Sequence, residues 1–502
     1  MSIKKLAKTI VTTGALVLPL ILVSCVKGEP GITYTLLWGT KIEKVGNNLA
    51  IEKDENGITT ISKKVDGVIK DDFKVLVFTD FHLDHKQDCC NYTYTMIAKN
   101  IMNVKPDLVL LCGDNVTSIE QRPRAKQFAQ LMEDLDVYWS FVLGNHEGED
   151  YPEKDMMSRP EQVEFFSQYK HCLIDPSIKH TSDGAEVWGD GNHAINILNS
   201  NNEIAQTFFF LDSGVALSQE DFEVNYKAEV DEFKKVGKVK DSVKPRDLAD
   251  YIKDSQIKWY KEVTAKNTKA NTTVFSHVPL KDMEDAYLEY YKKYNVAHGS
   301  EWSVEQDVAH PWPYTEVTGE VANCNIKMLT GRRAEGMCYS PHDVRYSPFD
   351  SNGTEHTPIF DAMIESGGAH PAFFCGHDHQ NNFVYEQKVG NNNDSKTITL
   401  GYIQPACYSS NNFWTKGMLG EYPLSDTKKY HLIQGYSVLD FNLKNADNPF
   451  EFKHYTNFDV WKGEHYEEAC EYIRLTRDPQ EYKPAIGEYP TDPNNPFPSE
   501  LN

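Results

Sequence analysis

Five apolar stretches of the chain each run into residues whose side chains bind metal ions. "VLVF" (75–78) leads to Asp80 and His82, and "LVLLC" (108–112) to Gly113 and Asp114. "YWSFVL" (138–143) leads to Asn145 and His146, "TTVFS" (272–276) to His277, and "AFFC" (372–375) to His377 and His379. A carboxylate such as Asp114 at the mouth of an apolar strand is costly to hold without a partner. No basic residue follows within reach, so the partner comes from far along the chain or is a metal ion. In open α/β sheets ligands sit beyond the carboxyl ends of the strands, so these residues should converge on one edge and pair Asp114 with metal. Imidazoles with a minority of carboxylates suit Zn, Fe, Mn or Ni better than an all-oxygen calcium site. Two such divalent ions about 3.5–4 Å apart can clamp both the attacking and the leaving oxygen of a phosphoryl group. Glycines before Asp114, Asn145 and His377 permit the tight turns that aim these groups. The chain holds its own control: Gly191-Asn192-His193 repeats the Gly-Asn-His wording but precedes an alternating run, so His193 reads as a strand-start residue and not a ligand.

The elements that must position these residues alternate in type. Strand-length apolar runs at 75–78, 108–112 and 137–143 are separated by helical patterns at 92–104 and 122–135, the second with Pro123 near its start and Phe128, Leu131 and Leu135 on one face. A helical pattern ends in "SQIKWYKEV" (255–263), and late strands read at 373–375 and 431–442. Continuously apolar strands separated by helices predict sheets covered on both faces. Residues 1–24 read as a targeting segment and 25–71 as a tether with a small β element, in which "ITYTLLW" and "GITTISKKV" are the strand-like pieces. The main domain is expected over 72–445, with a loop-rich insertion at about 281–370. Residues 446–502 read as an acidic, Pro-rich tail whose last stretch, "YPTDPNNPFPSELN", is expected to be disordered.

The order D-x-H, G-D, G-N-H-E, H, G-H-x-H resembles the calcineurin-like metallophosphoesterases. "FFFLDSG" (208–214), "SQIKWYKE", "FSHVPL" (275–280), "GRRAEGMC" and "FFCGHDHQNNF" (373–383) are similar to a subgroup of that family. That subgroup includes plant purple acid phosphatases labelled inactive and the yeast phosphatase of cell-cycle start and the unfolded-protein response. The resemblance spans about 72–442. It implies an α/β (α+β sandwich) fold of four layers, two packed mixed β-sheets flanked by helices, and a dinuclear site that hydrolyses phosphate esters. It also implies that Asp80, His82 and His379 hold one ion, that Asn145, His277 and His377 hold the other, and that Asp114 bridges them. His146 would bind no metal but face the phosphate and protonate the leaving oxygen. Thr117 stands where purple acid phosphatases carry a ligating Tyr and Ser/Thr phosphatases an Asp, so no purple ferric centre is expected, and Glu147 is the candidate partner for His146.

The first residues resemble a bacterial lipoprotein signal: Lys4, Lys5 and Lys8, then an apolar stretch, then "LVSC" ending at Cys25. Cleavage there would make Cys25 a lipid attachment site and place the protein on the outer side of a cell membrane. An ordinary signal peptide or an uncleaved anchor is the alternative. Loss of the three lysines would take the formal charge from −23 to −26, a surface that repels polyphosphate backbones and argues against nucleic-acid partners. A phosphate-ester substrate remains, with phosphomonoesters first, small diesters as the alternative, and a non-catalytic metal- or ligand-binding lipoprotein as the third reading. Ten cysteines lack the spacing of a disulfide framework; Cys112 and Cys375 read as core thiols, and Cys89 and Cys90 as free.

Overall fold

The computed structural model describes residues 33–84, 87–117, 120–148, 156–221, 223, 249–297, 318–331, 345–346, 355–379, 381–390, 395–406 and 434–461. One compact unit is Tyr34–Asn502; the other, Met1–Thr33, falls almost wholly outside these residues, as does Cys25. No helix among the described residues is long and apolar enough to cross a membrane.

The smaller sheet is built from β4 (Asp72–Phe78), β5 (Leu108–Cys112), β6 (Trp139–Val142), β17 (Gly435–Asn442) and β18 (Phe450–Thr456), in the order β18-β17-β4-β5-β6. Its β4, β5 and β6 run parallel, and the β4–β5 link is helix α1 (Gln87–Val104) while the β5–β6 link is α2 (Gln121–Leu135). The larger sheet begins with β1 (Leu49–Lys53), β2 (Thr59–Val65), β3 (Val68–Ile69), β7 (His193–Leu198), β8 (Ile204–Phe210) and β9 (Asn271–Phe275). It continues through β14 (Ala372–Cys375), β16 (Lys396–Tyr402) and β15 (Val384–Val389) to β11 (Ile326–Thr330) and β10 (Gly319–Glu320). A separate two-stranded pair joins β12 (Arg345–Tyr346) to β13 (Glu355–His356). The other helices are α3 (Arg159–Ser167), a short α4 (Gln219–Asp221), α5 (Asp254–Thr264), α6 (Lys281–Ala297), α7 (Pro358–Ser366) and a short α8 (Asn457–Val460).

Strand alternation sorts the apolar residues into layers. Val75, Val77, Leu108, Leu110 and Cys112 face Ile195, Ile197, Phe208, Phe210 and Phe374 between the two sheets. The alternate residues Leu76, Phe78, Val109 and Leu111 pack against Ile97, Phe128, Leu131 and Phe166 of α1 to α3. On the far face of the larger sheet, Phe209, Val274 and Phe373 meet Trp259, Tyr260 and Ile359. Helix, sheet, sheet, helix is the four-layer α/β sandwich that the sequence implies.

Several local expectations change. The described part of "ITYTLLW", residues 33–38, forms no strand: Leu37 donates its N–H to Thr95 Oγ1 at 2.8 Å and Tyr34 donates to Asp134 at 2.6 Å, so it straps the helical layer, where no sheet edge is offered. The small β element is not separate, since β2 pairs in parallel with β7 and enters the larger sheet. The smaller sheet also runs past residue 445, because the apolar alternation of 450–456 lets β18 pair with β17 and bury Phe450. Residues 281–297, read as part of a loop-rich insertion, are helical, with Met283, Ala286, Tyr287 and Tyr290 buried on one face. Much of the rest of 281–370, and residues 462–502, lie outside the described residues. Cys89 and Cys90 are both free thiols on α1.

Candidate metal centre

The parallel strands β4, β5 and β6 and the parallel strands β9 and β14 deliver their carboxyl ends to one edge of the sandwich. Beyond it the loops are zipped together: Asp80 N–H donates to Gly113 O at 3.0 Å, His82 N–H to Asp114 O at 2.8 Å, and Gly376 N–H to His277 O at 3.1 Å. Asp80, His82, Asp114 and His377 have φ of 59°, 47°, 52° and 76°. Non-glycine residues seldom adopt this left-handed backbone, and where they do the strain is held by surrounding structure and concentrates at functional sites. Gly113 shares it, at φ 92°, and a Cβ there would strike the His277 ring. Gly144 serves by close approach instead, since a Cβ would land on the Asp114 carboxylate.

The side chains converge as two groups sharing Asp114: Asp80, His82, Asp114 and His379, and Asp114, His277 and His377, with the candidate donor atoms of each group within 4.8 Å of one another. His82 Nε2 lies 3.0 Å from His379 Nε2 and 3.4 Å from Asp114 Oδ2, and His379 Nε2 is 3.3 Å from Asp80 Oδ1. In the second group His277 Nε2 is 3.1 Å from Asp114 Oδ2, 3.1 Å from Asn145 Oδ1 and 3.3 Å from His377 Nδ1. His277 Nδ1–H donates to the Cys112 carbonyl at 2.7 Å, which fixes the tautomer and leaves the Nε2 lone pair aimed into the cluster. At these distances each pair of ring nitrogens needs a shared proton or a cation between them.

Electrostatics give the same account. Burial alone would raise the Asp114 carboxyl, but the His277, His146 and His82 imidazoles outweigh it and hold the group well below its usual range. Burial likewise opposes ionisation of Asp80, and the His379 and His277 contacts bring it down to about 2. Burial is the main cause that sinks His82 and His377 to about 3, keeping them neutral. His277 is pushed the other way: burial would lower it, but Asp114 and Asp80 raise it to about 10, so the cluster's field favours positive charge at this point. Asp114 Oδ2 is buried 3.1 Å from His277 Nε2 and 3.4 Å from His82 Nε2, a place where a charged oxygen needs nearby positive charge to offset its desolvation. A buried carboxylate ringed by imidazole nitrogens, in a field that favours positive charge, fits divalent cations.

Comparison with known proteins agrees. Residues 73–299 match the calcineurin-like phosphoesterase family. The chain carries a calcineurin-like phosphoesterase domain. No curated protein matches it. The matched span contains Asp80, His82, Asp114, Asn145, His146 and His277; His377 and His379 lie beyond it and are brought in by β14, the parallel neighbour of β9. A calcineurin-like phosphoesterase domain is that of a hydrolase acting on phosphoester bonds, and the buried Asp/His cluster is where metal would serve it.

His146 packs its ring edge-on against His82, with 5.0 Å between centroids, but is more exposed than the other imidazoles. Its N–H donates to Asp114 Oδ1 at 2.9 Å, its Nε2 lies 4.0 Å from Asp114 Oδ2, and its side chain is 36% exposed, so one face of the ring is open. Glu147 is not seen to orient it. The Glu147 carboxylate is buried and accepts the backbone N–H groups of Asp114 (3.0 Å), Asn115, Val116 (3.3 Å) and Gly144 (2.8 Å). Burial and the nearby Asp114 charge raise Glu147 to about 7. Its work is to tie the Asp114 turn to the Asn145 turn. His193 opens β7, donates from Nδ1 to Gly191 O at 2.7 Å, lies 2.7 Å from Ser140 Oγ and stacks on Phe210, away from the cluster. Asp212 and Arg159, which no spacing in the sequence signals, form an ion pair beside the Gly144 turn.

Proposed function

We propose that the protein is a phosphatase that hydrolyses phosphomonoesters at two divalent metal ions on the outer side of a cell membrane. Asp80, His82 and His379 hold one ion, Asn145, His277 and His377 the other, and Asp114 bridges them. The observation that carries this reading is the buried Asp114 Oδ2, which faces His82 of one donor group and His277 of the other. Bound there, Mn, Fe, Zn or Ni ions would supply Lewis-acid charge for the phosphoryl oxygens and acidify a water nucleophile. The chain's residues do the rest. The zipped turns fix the donor spacing, the neutral His82 and His377 offer lone pairs, and His146, on the open side, donates a proton from Nε2 to the leaving oxygen.

A signal and lipid anchor at Cys25 rest on the order of basic, apolar, small and cysteine residues in 1–25. Kinship with the subgroup named above rests on its accessory wording alone; two of those segments meet in the fold, where Asn192 Oδ1 accepts from Asp212 N–H of "FFFLDSG" at 3.0 Å and from Gln256 Nε2 of "SQIKWYKE" at 2.8 Å.

Assay of the purified, metal-loaded protein against an alkyl phosphomonoester and a small phosphodiester, with each metal added singly, separates the readings. Faster monoester turnover is the expected result. Faster diester turnover would make it a phosphodiesterase, and no turnover of either with two ions bound would favour a binding lipoprotein.

A further inference from the structure

The turn that carries Asn145 and His146 makes little of its own structure, being a single 3-10 turn over His146–Gly148. Its shape is imposed from the first turn of α3. There Ser158 caps the helix in a capping box with Glu161, whose carboxylate accepts the Ser158 N–H at 2.7 Å, so the residues that follow are fixed in place. Two of them reach back. Gln162 Nε2 donates to the Glu147 carbonyl at 2.8 Å, and Arg159 Nη1 donates to the Gly144 carbonyl. The stem of Arg159 also lies against Gly148, where an added Cβ would sit 3.0 Å from its Cδ. Gly144 is therefore held at both ends, its N–H by Glu147 and its carbonyl by Arg159.

Arg159 does not stop at this turn. Its Nη2 donates to Asp212 Oδ1, and Asp212 also accepts the N–H groups of Asp190 and Gly214, each at 2.8 Å. The next residue, Ser213, accepts the Val278 N–H through its Oγ at 3.1 Å, directly after His277. A continuous set of contacts thus joins the His146 turn, through Arg159 and Asp212, to the His277 turn. The guanidinium side chain is 11% exposed and faces carboxylates on this side of the cluster, Asp212 in contact and Asp190 at 3.9 Å.

We propose that Arg159 is a positioning residue for this site: by gripping the Gly144 carbonyl and Asp212 together, it sets where Asn145 and His146 sit relative to Asp114 and His277. The proposal rests on the two-ion reading above. Planar, forked Arg can satisfy both acceptors at once, whereas Lys can satisfy one at a time. Displacing a proton donor by about 1 Å can cost on the order of 10²-fold in rate, and removing a group that supports a metal ligand typically costs about 10–100-fold in metal affinity.

R159A and R159K test it with two readouts. The first is kcat and KM on an alkyl phosphate and on an activated aryl phosphate. The second is calorimetric titration of the metal-stripped full chain with Mn²⁺. R159A should lower kcat on the alkyl ester by about 10–100-fold, change KM by less than about threefold, and lose less on the aryl ester. It should also weaken one of two Mn²⁺ affinities by about tenfold or more and spare the other. R159K should fall between R159A and the parent, and it decides the matter alone if R159A does not fold. Parent-like kcat and two parent-like affinities in the folded variant would overturn the proposal, as would a lower Tm with neither readout moved. A parent that binds two Mn²⁺ but hydrolyses no ester would sink the phosphatase reading instead, and the Mn²⁺ titration would still judge Arg159.

Discussion

At the scale of single residues, Asp114 and His146 separate metal binding from chemistry. Asp114 gives Oδ1 to the His146 N–H and leaves Oδ2 buried between the two donor groups. D114N removes a charge that both ions share, so metal content should fall and activity with it. H146Q leaves every proposed ligand in place, so both ions should stay while turnover of alkyl phosphates drops by about 10²–10⁴-fold. The loss should be smaller for esters of acidic phenols, whose leaving oxygen needs little protonation. Elemental analysis beside initial rates checks this, and an H146Q protein as fast as the parent on alkyl phosphates would rule His146 out as the acid. These residues were legible in the sequence because ligand chemistry demands particular side chains immediately after particular strands. Glu147 was legible as a polar neighbour, but its structural role was not. Four backbone N–H groups from two turns meet its carboxylate, and backbone donors leave no mark in a sequence. Asp212 lay inside the quoted "FFFLDSG", but its pairing with Arg159 was not legible, because it joins the first turn of α3 to the segment after β8.

At the scale of elements, apolar runs marked β4, β5, β6, β9 and β14, because these strands are buried on both faces where they approach the site. β18 escaped since it is an edge strand in which exposed Glu451 and Lys453 interrupt the apolar residues and mask the pairing with β17. His454 on β18 and His193 on β7 carry a testable consequence. Burial sinks His193 to about 3 and His454 to about 4, and each ring nitrogen has a neutral partner; His454 Nε2–H donates to Asn382 O at 2.7 Å while Nδ1 lies 2.8 Å from Ser437 Oγ. An unfolded histidine titrates near 6.5. As pH falls below about 6.5 the unfolded chain takes up protons that these two refuse in the fold, so stability should decrease steadily down to about pH 4. Urea unfolding of the parent and of H193Q between pH 7 and 4.5 reads the effect. H193Q should be less stable at pH 7 yet show a shallower decline, and an unchanged slope would mean that His193 takes up its proton in the fold as readily as in the unfolded chain.

At the scale of the whole molecule, the two sheets were legible as a covered α/β architecture, but their order was not, because it depends on pairings between distant segments, Thr59 with Ile195 where β2 meets β7 and Gln206 with Asn271 where β8 meets β9. The parallel strands of both sheets end at one edge, and this lets residues from 80 to 379 share a single centre. The proposed lipid anchor adds a second whole-molecule expectation. C25A should move the protein from a detergent-dependent to a soluble fraction or leave it unprocessed, and a variant that fractionates and migrates like the parent would exclude lipidation at Cys25. The central claim, two ions bridged by Asp114 and required for phosphoester hydrolysis, is tested most directly by stripping the full chain of metal and restoring one divalent metal stepwise while following phosphate release from a phosphomonoester. Activity should be absent at the start and reach its plateau at two equivalents, with no strong visible absorption band from a tyrosinate at position 117. A plateau at one equivalent, or turnover that survives complete removal of metal, would contradict the account.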